Sequence, residues 1–257
     1  MPARRPQNHS KHQMFKLAIR SLLRACGYEL RRLPSALEIP NIPDAELYQP
    51  VFSPWLGGGD FKRYYDLAAP KSLVSPDRCY VLYILLRQAV SVPGDVWECG
   101  VYKGGTAAML AAMLDHYAPQ KRLHLFDTFQ GMPDTDPVKD WHKQGDFSDT
   151  SLEAVSAYVG LEKQCVFHKG FIPDTFKGLE SSAIALAHVD VDIYKSILDC
   201  LDFIWPRLSV GGFVIFDDYG FPSCPGARAA VDKFFSNRDC FPLCLPTGQA
   251  LVFKHKS

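Results

Sequence analysis

Two short acidic stretches carry the chemistry of this chain: His188-Val-Asp190-Val-Asp192-Ile-Tyr194 and, a little downstream, Phe216-Asp217-Asp218-Tyr219. Each follows an apolar, strand-like run, Ala183 to Val189 and Gly212 to Phe216. In a parallel α/β sheet the strand ends on one edge line the ligand crevice, so acids at two such ends face a common site. Asp190 and Asp192 are two apart and share a face if extended. Two like charges about 4 Å apart interact by roughly 4 kcal/mol at an effective dielectric near 20, so the group requires a cation, shared protons or basic partners. The working hypothesis is a bound divalent metal. Donors that are all oxygen suit a hard ion such as magnesium, with manganese or calcium also compatible.

A second constellation lies upstream. Val96-Trp97-Glu98-Cys99 reads as a buried strand, and Gly100, Gly104 and Gly105 lead into a strong helix former, Thr106 to Leu114. The spacing Glu98-x-Gly100-x-x-x-Gly104-Gly105 departs from the G-x-G-x-x-G of dinucleotide enzymes. S-adenosylmethionine has no phosphate to cradle. It needs a close backbone approach, offered at Gly100, and an acid such as Glu98 attracts its cationic amino acid end. Asp127 closes the next apolar run, Arg122 to Phe126, where an acid in a Rossmann-like sheet accepts hydrogen bonds from ribose hydroxyls. The bland alternatives are a tight strand-to-helix turn and a capping aspartate.

The elements that must position these residues alternate. A helix starts at Ser75-Pro76-Asp77, with proline at its first position. After the strand, glycine loop and helix come a second strand, a polar lid from Gly131 to Asp149, and a helix from Ser151 to Tyr158. A short strand at Cys165 to His168, a helix at Pro173 to Leu179 and the strand that delivers Asp190 follow. Helices at Ile193 to Leu208 and Gly226 to Phe235 flank a strand at Phe213 to Phe216, and Phe241 to Lys254 reads as two closing strands around Pro246-Thr-Gly248. Such alternation predicts an α/β domain over residues 60–257. Its sheet is mostly parallel with helices on both faces and an antiparallel strand at one edge, as in a class I methyltransferase.

Four segments in order resemble the macrocin O-methyltransferase (TylF-like) family: Glu98-Cys-Gly-Val-Tyr-Lys-Gly-Gly105, Phe126-Asp-Thr-Phe-Gln-Gly-Met-Pro-Asp134, Asp190-Val-Asp-Ile-Tyr194 and Gly211-Gly-Phe-Val-Ile-Phe-Asp-Asp-Tyr219. The similarity covers roughly Pro76 to Lys254. It implies a Rossmann-like, seven-stranded class I methyltransferase that uses S-adenosylmethionine and magnesium to methylate a hydroxyl of a sugar or natural product. By that resemblance Asp190, Asp217 and Asp218 hold the metal and Asp192 is the general base. Glu98, Gly100, Val101, Tyr102, Gly104, Thr106, Asp127 and Phe171 contact the cofactor. Apart from the resemblance, His142 and Lys195 are alternative proton acceptors or substrate contacts, against the plainer readings of a polar loop residue and a lysine paired with a local carboxylate. The competing readings are a binding protein that keeps the fold without turnover, and a metal-dependent hydrolase using the same acids.

The 28 basic and 28 acidic residues balance, which gives no general attraction to nucleic acid. Residues 1–59 form a basic and then proline-rich arm, with an amphipathic helix expected from about Gln13 to Leu30. That helix would pack on its own domain, on a second subunit of a homo-oligomer, or weakly on a membrane surface. The eight cysteines contain no C-x-x-C pair, and Cys224, Cys240 and Cys244 match no zinc spacing. Reduced thiols and a cytoplasmic location are the expectation.

Overall fold

The computed structural model describes residues 19, 21–28 and 53–255. The chain divides into two units, residues 1–51 and 52–257. In the first, residues 21–25 are helical and Gly27 follows at φ 82°. Half of the expected amphipathic helix, and the proline-rich stretch up to residue 52, lie outside the described residues.

The second unit is built on seven strands: β1 (Asp95–Cys99), β2 (Leu123–Asp127), β3 (Cys165–Lys169), β4 (Ile184–Val189), β5 (Leu208–Phe216), β6 (Leu243–Cys244) and β7 (Ala250–Phe253). Their order is β3-β2-β1-β4-β5-β7-β6. Strands β1 to β5 pair in parallel, and β7 runs antiparallel to both β5 and β6. The antiparallel strand thus lies at the expected side of the sheet, one place in from the two-residue rim strand.

Six helices cover the sheet: α1 (Asp60–Ala68), α2 (Pro76–Ala89), α3 (Gly105–Tyr117), α4 (Leu152–Val159), α5 (Tyr194–Arg207) and α6 (Pro225–Phe235). Alternation along the strands separates two cores. Val96, Leu123, Leu125, Leu186 and Ile215 pack with α1 to α4 on one face. Trp97, Phe126, Ala187, Val214 and Phe216 pack with α5 and α6 on the other. Helix α1 was not anticipated, although Phe61, Tyr64 and Ala68 form its buried stripe. The helix expected at Pro173 to Leu179 is a single 3-10 turn, Asp174–Phe176, because Gly178 at φ 87° ends it at once.

The C-terminal ends of the strands continue as a shared ladder. Gly100 N donates to Phe126 O at 2.9 Å, Asp190 N to Cys99 O at 2.8 Å and Asp217 N to Val189 O at 3.0 Å. Gly100 has φ 88°, and a Cβ there would lie 1.7 Å from the carbonyl oxygen of Asp190. Both the conformation and the contact exclude a side chain. Gly100→Ala should therefore lose about 3 kcal/mol or more of stability in urea unfolding. A loss within about 0.5 kcal/mol would show that the strand ends are not packed in this way.

At the β2–β3 end, His168 stacks on Phe126 with ring centroids 4.3 Å apart and meets His124 at 3.0 Å. Burial, reinforced by the nearby His124, pushes the His168 imidazole down from 6.5 to about 4. The native state then binds fewer protons than the unfolded chain in that window, so His168 contributes stability above pH 6.5 that is lost as pH falls toward 4. The unfolding midpoint followed from pH 7 to about 4.5 should fall less steeply in His168→Phe than in the parent chain. Parallel curves would contradict this assignment.

Candidate active site

At the C-terminal edge of β1, β4 and β5 the sheet buries a charged network. Glu98 and His188 are register partners on neighbouring strands, both fully buried, with Glu98 Oε1 3.0 Å from His188 Nδ1. His188 Nε2 lies 3.5 Å from Asp217 Oδ1. Burial alone would push the His188 imidazole down. The adjacent Asp217 carboxylate, the hydrogen bond to Glu98 and the charge of Asp190 override this and hold it up to about 10, so the ring is a buried cation.

Asp217 is the best-partnered acid. Its Oδ1 accepts from Gln249 Nε2 at 2.8 Å, and its Oδ2 pairs with the Arg78 guanidinium. Arg78 sits in the first turn of α2, where Nε donates to Ser75 Oγ at 3.1 Å and Nη2 to Leu73 O at 2.9 Å. Burial would raise the Asp217 carboxyl, but the adjacent His188, its charge and Arg78 hold it below the usual range. The other three acids have weaker support. Burial raises Asp190, Asp192 and Asp218, and the charges of neighbouring carboxylates add to each. Asp192 also has φ 57°, a strained conformation for a non-glycine residue, and its N–H donates to Asp218 Oδ2 at 3.1 Å.

A cavity of about 300 Å³ opens over this edge. Asp190, Asp192 and Asp218 line it, whereas Asp217 and Glu98 sit behind its wall. Ligand atoms of His188, Asp190 and Asp217 lie within 4.8 Å of one another, and those of His142, Asp192 and Cys224 form a second such group. Asp218 belongs to neither group.

The glycine loop forms the opposite wall through Gly100, Val101, Tyr102 and Thr106. Asp127 organises that loop: its Oδ2 accepts from the backbone N–H of Val101 at 2.8 Å and of Tyr102 at 2.9 Å, and its Oδ1 from Phe129 N at 2.6 Å. Of a carboxylate's roughly four acceptor positions, three are used and one remains for a ligand. Gly104 does not line the cavity, and a Cβ there would meet Val155 Cγ1 at 2.8 Å, so its role is packing. Phe171 is half exposed and its neighbours Gly170 and Ile172 line the cavity instead.

The polar segment from Gly131 to Asp149 lies over the cavity, contributing Gly131, Met132, Pro133, His142 and Phe147 to its wall. Asp140, buried within this segment, anchors it: Oδ1 accepts from Tyr194 N at 2.9 Å, capping α5, and Oδ2 from Asp136 N at 2.9 Å. A Cβ on Gly226 would stand 2.0 Å from that Oδ1, so the second residue of α6 is glycine where the lid docks. At the far end Tyr102 Oη donates to Asp149 Oδ1 at 2.7 Å, joining the lid to the glycine loop. His142 Nε2 is 3.7 Å from Asp192 Oδ1. Lys195 instead bonds Asp199 at 2.6 Å and lies outside the cavity wall.

Sequence reasoning missed Arg78, Gln249, Asp140 and any role for His188. Only His188 left a local signal, standing two residues before Asp190 on the same strand face.

Residues 81–241 match the profile of the macrocin-O-methyltransferase (TylF) family. The chain is 36% identical over 151 residues to the 8-demethyl-8-(2,3-dimethoxy-alpha-L-rhamnosyl)-tetracenomycin-C 4'-O-methyltransferase of Streptomyces olivaceus, covering 54% of this chain and 58% of that protein. It is 36% identical over 157 residues to the mycinamicin III 3''-O-methyltransferase of Micromonospora griseorubida, covering 56% of this chain and 61% of that protein. The matches thus span about three fifths of these relatives' length. Among solved structures, the O-methyltransferase NovP superposes with a TM-score of 0.68 at 23% identity, covering 77% of this chain and all of that one. The calicheamicin methyltransferase CalS11 gives 0.60 at 24%, covering 75% and 90%. These structures share the class I methyltransferase fold, and on the profile match the chain belongs to the macrocin-O-methyltransferase (TylF) family.

Proposed function

We propose that this chain is an S-adenosylmethionine-dependent O-methyltransferase that uses a hard divalent ion, magnesium, to methylate a hydroxyl of a sugar or glycosylated natural product. The observation that carries the reading is one cavity with two unlike walls: a glycine loop held by Asp127 on one side and the acids Asp190, Asp192 and Asp218 on the other. Its volume, about 300 Å³, is at the lower end of the range of small-molecule sites. The family's name and its relatives' named 4'- and 3''-O-methylations support the reaction class. A cytoplasmic setting suits the eight cysteines, all free thiols, and among the described residues no helix is long and apolar enough to cross a membrane.

The carboxylates of the cavity wall suit a hard ion and the glycine loop with Asp127 suits the cofactor, although Asp218 lies outside both close donor groups. Gly100, Val101, Tyr102, Thr106 and Asp127 would hold the cofactor, Asp127 through its remaining acceptor position, with Glu98 behind the cavity wall paired to His188. Asp190 and Asp218 from the cavity wall, with Asp217 beneath them, would hold the ion; their raised proton affinity marks carboxylates whose mutual repulsion a cation relieves. When bound, the sulfonium supplies an electrophilic methyl group and the ion a Lewis acid that eases deprotonation of a hydroxyl. The chain itself supplies position and a base. Asp192 takes the hydroxyl proton at Oδ1, its proton affinity lifted by burial, with His142 Nε2 as the neighbouring group. Arg78 and His188 keep Asp217 ionised throughout. The lid, fixed by Asp140 and Asp149, excludes water above the reacting groups.

The direct test is transfer of a labelled methyl group from S-adenosylmethionine to sugar-bearing acceptors with and without magnesium. Asp218→Ala should abolish magnesium-dependent transfer while cofactor affinity by calorimetry stays within about threefold. Transfer that survives in excess chelator would contradict the metal role. Asp192→Asn should lower kcat by about 10²-fold or more with metal affinity little changed. Undiminished turnover would move the base elsewhere.

A further inference from the structure

Beside the hard-oxygen acids, donors of a different chemistry meet on the same cavity. His142 comes from the lid, Asp192 from the turn after β4 and Cys224 from the position that precedes α6. Their atoms form a nearly equilateral triangle. His142 Nε2 to Cys224 Sγ is 3.6 Å, Cys224 Sγ to Asp192 Oδ1 is 3.4 Å and His142 Nε2 to Asp192 Oδ1 is 3.7 Å. A tetrahedral zinc ion with bonds of about 2.0–2.3 Å to nitrogen, oxygen and sulfur sets its ligand atoms about 3.3–3.6 Å apart.

A second observation concerns the far side of the imidazole. His142 Nδ1 lies 3.2 Å from Asp146 Oδ2, and that oxygen is fixed by the backbone N–H of Lys143 at 3.0 Å. A carboxylate on Nδ1 places the proton there and leaves the Nε2 lone pair facing the triangle, the arrangement that orients metal-binding histidines. Burial pushes the Cys224 thiol up, and it donates to Asp192.

We propose that His142, Asp192 and Cys224 form a binding site for a thiophilic divalent ion of the zinc type, separate from the magnesium set and open on its fourth side to the cavity. On binding, the Cys224 thiol releases its proton to solvent and its sulfur becomes a thiolate ligand, while His142 binds as neutral imidazole and Asp192 as carboxylate. Soft and borderline ions select this donor set over the all-oxygen acids next to it. The ion would clasp the lid to the start of α6. It would also occupy Asp192, so zinc inhibits methyl transfer; this last consequence rests on the proposed function, whereas binding does not.

The test uses the full chain without a histidine tag, titrated with zinc in competition with a chromophoric chelator and, separately, loaded with cobalt(II). One zinc should bind per chain with submicromolar affinity, and cobalt should show a thiolate-to-metal charge-transfer absorption. Cys224→Ser should abolish that absorption and weaken zinc by about 10²-fold or more. Asp146→Asn, at a partly exposed position outside the triangle, should weaken zinc by about 10- to 100-fold with the fold intact. Absence of zinc binding to the parent chain overturns the site, as does unchanged affinity or absorption in a folded Cys224→Ser. If Cys224→Ser does not fold, unchanged zinc affinity in Asp146→Asn overturns it alone. Zinc binding with the expected losses, in a chain that transfers no methyl group, supports the site and counts only against the methyltransferase reading.

Discussion

The edge of the sheet that carries the site depends on one buried cation. His188 stands between Glu98 on β1 and Asp217 after β5, all three fully excluded from water. Removing a charge from water costs several kcal/mol unless partners repay it, and removing one partner of a buried pair strands the other at a cost of about 3–5 kcal/mol. The parallel register supplies the partners without loops: Glu98 faces His188 across the β1–β4 ladder, and Asp217 is the first residue beyond β5. Arg78 completes the balance by anchoring the N-terminal turn of α2 to the same carboxylate. Three strands and one helix are thereby locked together where the cavity begins.

That balance is incomplete by design of the charges. Arg78 and His188 compensate Asp217 and Glu98, and leave Asp190 and Asp218 facing the cavity with raised proton affinity. The edge is thus neutral on its buried side and short of positive charge on its open side. The glycine loop uses the opposite economy. Asp127 accepts three backbone N–H groups and fixes the loop's shape before any ligand arrives, as preorganised sites require. The lid is tied to both halves, to α5 by Asp140 and to the glycine loop by Asp149.

Much of this was legible in the sequence, for physical reasons that can be named. Acids directly after apolar runs marked the strand ends, because period-two burial and an abrupt change to charge coincide only where a strand leaves the core. Glycine at position 100 marked the close approach that the Asp190 carbonyl now explains. What was not legible arises from contacts between distant segments. Arg78 and Asp217 are 139 residues apart and Gln249 is 32 beyond its partner, and neither carries a local pattern. Asp140 read as one more polar loop residue, yet it is buried and caps a helix 54 residues away. Cys224 matched no zinc spacing with the other cysteines, since its neighbours are His142 and Asp192 rather than a second thiol. The segment after Pro173 has the composition of a helix but ends at Gly178, and position-specific backbone geometry overrode propensity there.

The most direct measurement of the central claim is the protonation state of His188 by nitrogen-15 NMR of the ligand-free chain, read from the shifts of both ring nitrogens across neutral and mildly alkaline pH. An imidazolium that persists with both nitrogens protonated well above pH 8, lost when Glu98 is replaced by Gln, is the predicted result. A neutral ring at pH 7, or a titration midpoint near the ordinary 6.5, would contradict the account of how this edge is held.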